Sequence, residues 1–168
     1  MADYKLLKPQ ILKWEGGFVD DPSDKGGPTY KGVTLATFRQ FYGQNKTVDD
    51  LKILTDVQWD HIFKTGYWDK WRADEIKSQA VANALVDWTY HSGVHGIKEP
   101  QKILGVTADG IVGPKTLAAV NAMHPLELWV KIQAARHGFV ENIVKNDASQ
   151  ADFLAGWKNR INNLNYNV

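Results

Sequence analysis

Ala80-Val81-Ala82-Asn83-Ala84-Leu85-Val86-Asp87-Trp88 is apolar almost all round a helical wheel, broken only by Asn83 and Asp87. A helix with no polar stripe has no face to offer water, so it belongs inside a bundle. The run predicts a buried central helix over 78–92, with Gly93 and Gly96 ending it. Upstream, Thr55-Asp56-Val57-Gln58 is a capping box that opens a helix through Trp59, Ile62 and Phe63 to about Thr65. Before that, Leu35, Phe38, Phe41 and Tyr42 share one side of a helix over 35–42. Leu7, Ile11, Leu12 and Trp14 form a further helical stripe that stops at Gly16, with Pro9 placing its regular start near Lys8 or kinking it there. Downstream, a short helix is expected over 99–104. The turn signals Asp109-Gly110 and Gly113-Pro114 then precede a helix over 115–123. Helices follow over about 126–145, after Pro125, and 149–164. Residues 18–34 hold Pro22, Pro28 and Gly26-Gly27, which exclude a regular central strand. The reading is a mostly α chain with a short irregular hairpin or loop after the first helix.

Composition narrows the function classes. The chain has 168 residues, 43% hydrophobic and 23% charged, as in a globular domain, and a net charge of +1. That balance gives no support to nucleic acid or an anionic membrane as partner. There is no cysteine, which excludes disulfides, thiolate metal sites and a cysteine nucleophile together. The first residues, Met1-Ala2-Asp3-Tyr4-Lys5, carry an acid early and lack an apolar run, so no signal peptide is expected, and no run reaches the length of a membrane span. Seven Trp, six Tyr and six Phe fill a core and also suit surfaces that stack on sugars.

The chemistry concentrates near the first helix. Trp14-Glu15-Gly16-Gly17-Phe18 places a carboxyl at a helix end between two aromatic residues. An apolar setting disfavours the charged form, so such a group can hold a proton and act as a general acid. Asp24 stands nine residues on, across a glycine-rich turn, with Thr29 or Thr34 available to hold a water. This is the equipment of glycosidic bond cleavage: a proton donor, and a partner that stabilises a cationic sugar or positions water. Asp21-Pro22 reads as a loop-fixing Asx-turn. Other chemistries find less support. No serine sits in a G-x-S-x-G elbow. His91 and His95 have metal-ligand spacing but no H-E-x-x-H around them. Asp20, Asp21 and Asp24 fail the calcium-loop pattern, because Lys25 and Lys31 occupy the positions that need Gly and Glu. No metal or cofactor is expected. Trp68, Trp71, Asn83, Trp88 and Tyr90, in or beside the central helices, are the candidates for lining a glycan groove.

Glu15-Gly16-Gly17 followed by Asp21-Pro22-x-Asp24-x-Gly26-Gly27-x-Thr29-x-x-Gly32-Val33-Thr34 resembles the N-terminal signature of glycoside hydrolase family 108, muramidases of phage and prophage lysis cassettes and related secretion-activator proteins. Leu104-Gly105-Val106-Thr107-Ala108-Asp109-Gly110-Ile111-Val112-Gly113-Pro114-Lys115-Thr116-Leu117 resembles the pattern of the peptidoglycan-binding region that follows the catalytic part in that family. The segment from Phe153 to Arg160 looks like the family's last helix. The resemblance implies a lysozyme-like fold with a catalytic region over 1–95 and a peptidoglycan-binding helical region over 96–168 on the same core. It implies hydrolysis of the β-1,4 bond between N-acetylmuramic acid and N-acetylglucosamine, with Glu15 as the acid. Phage lysozymes of a related class show a Glu, an Asp nine positions later and a Thr soon after, which matches Glu15, Asp24 and Thr29 or Thr34. The expected partners are peptidoglycan glycan strands, met as a monomer after holin-type release or another export route. The same residues leave two alternatives: a lytic transglycosylase, and a wall-binding module without turnover.

Overall fold

The computed structural model describes residues 1–22 and 26–167. The chain is mostly α-helical and divides into two compact units, Lys5–Tyr67 and a larger one made of Met1–Tyr4 with Trp68–Val168. No helix among the described residues is long and apolar enough to cross a membrane.

In the smaller unit, α1 (Tyr4–Trp14) leads through a loop to a two-stranded ribbon, β1 (Thr29–Tyr30) and β2 (Val33–Thr34). The strands pair antiparallel, Thr29 with Thr34 and Tyr30 with Val33. The turn residues Lys31 and Gly32 have φ of 49° and 78°, as a two-residue hairpin loop matching strand twist requires. Val19 bridges Thr29 through a pair of 2.8 Å backbone bonds, so the loop folds back onto the ribbon. Then come α2 (Leu35–Tyr42), α3 (Val48–Lys52) and α4 (Asp56–Phe63). The Thr55–Gln58 capping box forms as expected. A second box, Thr47 with Asp50, opens α3, which has only five residues and therefore no apolar period to betray it. Leu7, Ile11, Val33, Phe38, Leu51, Trp59, Ile62 and Phe63 are buried. Trp59 stacks on Phe63 at 4.9 Å and donates its indole N–H to the Lys31 carbonyl at 3.0 Å, which ties α4 to the hairpin tip.

The larger unit is built around α5 (Gln79–Ser92), every residue of which from 80 to 90 is buried. It continues through α6 (His95–Leu104), α7 (Pro114–Ala122), α8 (Pro125–Asn146) and α9 (Leu154–Asn162). Helix α5 packs on α6 and α8, and α8 on α9. Two expectations change here. Gly96 does not terminate the central helix but lies inside α6, where a Cβ would come within 2.3 Å of the Thr89 amide nitrogen. Its missing side chain lets two helices touch backbone to backbone. Residues 148–153 form a 3-10 turn rather than the first part of an α-helix, capped by Asp147, whose side chain accepts from the Ser149 amide. The regular start of α1 moves as well. It begins at Tyr4, with Pro9 in its second turn, because Ala2 and Asp3 are held beforehand. The Ala2 amide donates to the Ile76 carbonyl at 3.0 Å, and Gln79 bonds both the amide and the carbonyl of Asp3 at 2.8 and 3.0 Å.

The expected boundary at residue 95 separates α5 from α6. The compact units part between Tyr67 and Trp68, and α5 shares its packing with α6 and α8.

Candidate active site

Helix α1 ends at Trp14, and the Glu15 amide still closes a helical bond to the Ile11 carbonyl at 3.0 Å. Glu15 is half-buried. The two glycines after it are exposed, neither has the positive φ that would demand glycine, and nothing among the described residues lies within 4 Å of a Cβ built on either. The backbone therefore does not need glycine here. Among the described residues their missing side chains leave the backbone next to Glu15 uncrowded, as a close-approaching ligand would need. The flanking rings differ from the purely apolar setting expected. The Lys13 ammonium lies over Trp14 at 5.4 Å and the Lys52 ammonium over Phe18 at 4.6 Å, so each ring carries a cation on one face.

The ribbon register brings Thr29 and Thr34 together, because directly opposed residues point to the same face. Their hydroxyl hydrogens are already committed. Thr29 donates to the Gly27 carbonyl at 3.0 Å, and Thr34 donates to the Thr37 hydroxyl at 3.0 Å. Thr34 also accepts from the Thr37 amide at 3.1 Å as N-cap of α2. Each oxygen retains a lone pair and no hydrogen, so toward a water either threonine acts as acceptor only. A water held in this way has its hydrogens drawn aside and its own lone pair left to attack. Asp24, the expected second carboxylate, lies outside the described residues. Asp20 and Asp21 are exposed.

Two residues join this group that the sequence did not single out. The Thr37 side chain is hydrogen-bonded to Tyr67. Burial pushes the Tyr67 phenol up, the Thr37 bond works against that, and the charge of Glu15 adds to the rise. Thr34, Thr37 and Tyr67 thus form a linked set drawn from the end of β2, α2 and the turn after α4, and Glu15, just past α1, is near enough for its charge to act on the phenol. Three separate segments contribute to it, and no local pattern announces it.

The expected sugar contacts belong to the larger unit, and most are scaffold. Trp68, Trp71 and Trp88 are at most 1% exposed. The Trp68 indole N–H donates to Asp74 at 2.7 Å and that of Trp71 to the Thr89 hydroxyl at 2.8 Å, so these indoles are satisfied inside the fold and present no ring face for a sugar to stack on. Tyr90 is buried on the same helix. Asn83 is buried too; its carbonyl accepts from Gln79 at 2.7 Å, while its Nδ2 has no hydrogen-bond partner. Of the five, Asn83 alone shows an unused donor. His91 packs edge-on against Trp157 at 6.2 Å and is pushed down to about 3 by burial and by Arg160. His95 lies against Phe139. Among the described residues no group of three His, Cys, Asp or Glu side chains could hold a metal ion.

The model of the Glycosyl hydrolase 108 family matches residues 9–93, the span that carries Glu15, the hairpin and the central helix. The chain belongs to this family. Residues 95–162 match the Predicted Peptidoglycan domain. A solved structure, that of Brucella abortus SagA, is similar at 33% identity, covering 96% of this chain and 90% of that one with a TM-score of 0.84. No curated protein sequence matches. The family 108 chain is thus a glycosidase that acts on peptidoglycan. The boundary between its two family regions falls directly after α5, and the boundary between its compact units falls before α5.

Proposed function

We propose that this family 108 protein is an N-acetylmuramidase that hydrolyses the β-1,4 bond between N-acetylmuramic acid and N-acetylglucosamine. The observation that carries the reading is the half-buried Glu15 at the end of α1, followed by the uncrowded Gly16-Gly17 backbone, with its charge acting on the Tyr67 phenol that shares a hydrogen bond with Thr37. Protonated Glu15 donates to the glycosidic oxygen as the C1–O bond breaks. A water, its hydrogens accepted by Thr29 or Thr34, attacks C1 and passes its proton to a carboxylate, for which Asp24 is the nominee. The separation of the two carboxyls sets whether configuration inverts or is retained. The protein works as a monomer on glycan strands of the wall, in a cell-lysis or secretion setting of phage or prophage origin, reached through a holin or another export route.

Glu15→Gln keeps the shape and removes the proton. On purified cell walls it should lower the release of soluble fragments by about 10²–10⁴, the usual worth of a general acid, with an unchanged melting temperature. Retained activity would remove Glu15 from the mechanism. Mass spectrometry of the released sugars completes the test, because hydrolysis gives reducing ends and a 1,6-anhydro product would assign the protein to the transglycosylases.

A further inference from the structure

Phe153 closes the 3-10 turn over 148–153, and Trp157 lies one helical turn further on, in α9. Side chains at i and i+4 on a helical course are neighbours, and here the two rings stack at 5.9 Å with 23° between their planes. Phe153 is 40% exposed and Trp157 half-buried. His91 of α5 meets the Trp157 ring edge-on at 6.2 Å, and the 3-10 turn packs on both α8 and α9. The pair is thus held in place before any ligand arrives, which lowers the ordering cost of binding.

Other indoles of the larger unit are spent on the fold: the N–H groups of Trp68 and Trp71 are bonded, and that of Trp129 is buried. Among the described residues the Trp157 N–H is neither bonded nor buried. Apolar ring surface and an unused donor therefore lie side by side. This combination fits an N-acetylated sugar of a β-1,4-linked glycan, whose ring C–H groups suit an aromatic face and whose acetamido carbonyl accepts one hydrogen bond. Charge favours the same occupant. Lys158 is paired with Glu141 at 2.8 Å, while Asp152, next to Phe153, is exposed, a setting that disfavours the acidic peptides of the wall and leaves a neutral sugar unaffected. Both rings fall within the span matching the peptidoglycan domain, 95–162. In that span the Asp109 to Thr116 loop turns its bonds toward Gln101 instead.

We propose that Phe153 and Trp157 form a wall-binding platform on the larger unit, where an N-acetylated sugar of the peptidoglycan strand stacks while the Trp157 indole N–H donates to its acetamido carbonyl. The inference goes beyond the Glu15 chemistry and does not depend on it.

Nuclear magnetic resonance of the full chain reads the site directly. With a soluble N-acetylglucosamine tetramer added to millimolar concentration, the Trp157 indole N–H signal, assigned by its loss in Trp157→Phe, should shift. In Phe153→Ala the shift should shrink, and sedimentation with purified cell walls on ice should show an affinity lower by about tenfold, the worth of one good ring contact. Phe153→Tyr keeps the ring and should bind as the wild type does. Should the alanine variant fail to fold, the wild-type titration and the tyrosine variant still decide. An unmoved Trp157 signal overturns the proposal, and so does wild-type wall affinity in a folded Phe153→Ala protein. Loss of wall affinity with an unmoved signal overturns it too, by assigning the rings to a component of the wall other than the glycan. Cleavage of walls by Glu15→Gln would sink the acid assignment and leave this titration untouched.

Discussion

The two compact units treat their polar groups in opposite ways. In the larger one they are turned inward and bonded to one another. Asp87, buried in α5, accepts from Arg136 on α8 and Arg160 on α9, each at 2.8 Å. Gln101, fully buried in α6, donates from Nε2 to Asp109 at 3.1 Å, the Ile111 carbonyl at 2.9 Å and Thr116 at 3.2 Å, and its Oε1 accepts from the Gly110 amide at 2.9 Å. The Asp-Gly-x-x-Gly-Pro-x-Thr motif is therefore wound around one glutamine, and its side chains serve the loop they belong to. In the smaller unit the noteworthy polar groups, Glu15, Thr29, Thr34, Thr37 and Tyr67, are all half-buried. The difference teaches how to weigh two equally conspicuous motifs. One has its bonding capacity consumed internally and builds the fold, while the other places its polar groups at the surface, where a substrate can reach them.

The sharpest way to break this comparison is to remove a charge that holds the larger unit. Burial alone would raise the Asp87 carboxyl, but Arg160 and Arg136 outweigh it and hold the group far below the ordinary carboxylate range. A depressed carboxyl contributes its stability above the unfolded value, about 3.9, and that contribution is lost as pH falls below it. Asp87→Asn removes the carboxylate that the buried Arg136 and Arg160 guanidinium groups share and should cost about 3–5 kcal/mol. Denaturant unfolding checks the loss. A pH series adds a second readout: stability of the wild type should fall more steeply on acidification than that of the variant. Equal stability of the two proteins at neutral pH would contradict the scaffold role assigned to this cluster.

A smaller effect is expected at Gln101. Gln101→Leu fills the same volume and takes away the partner of the Gly110 amide, the Ile111 carbonyl and the buried Thr116 side chain, at about 2–4 kcal/mol given the usual cost of a buried group left unpaired. Turnover per folded molecule should be unchanged when measured well below the melting temperature. If wall binding disappeared while the fold persisted, the Asp109 to Thr116 loop would be a ligand site and the comparison would fail.

Much of the helical plan could be read in advance, because it rests on periodicity and on short-range bonds. The all-round apolarity of 80–88 marked α5, and Thr55 with Gln58 marked the start of α4. What escaped depends on contacts between distant segments. Gly96 reads as a stop until α5 is seen pressed against its Cα. The early start of α1 needs Gln79, seventy-six residues from Asp3. Three tryptophans read equally well as sugar platforms or as core, since aromaticity says nothing about which way a ring faces. Glu15, Thr29 and Thr34 were visible because one loop carries them all. Thr37 and Tyr67 were not, because the link between them is made by α2 meeting the turn after α4.

Thr34 is where the two behaviours overlap, and it gives the smallest expected effect with the finest discrimination. Its oxygen caps α2 by accepting from the Thr37 amide, and its hydrogen goes to the Thr37 hydroxyl. Thr34→Val removes both bonds while keeping the β-branched shape that suits β2, and loss of the cap should cost about 1 kcal/mol. Thr34→Ser keeps the oxygen and should restore that stability. If Thr34 serves only as a cap, activity at a temperature where both variants are folded will be the same in valine and serine forms. If its remaining lone pair holds the attacking water, the valine form loses turnover and the serine form does not. A thermal melt with a turnover assay on the two variants therefore separates fold-building from chemistry at a single side-chain oxygen.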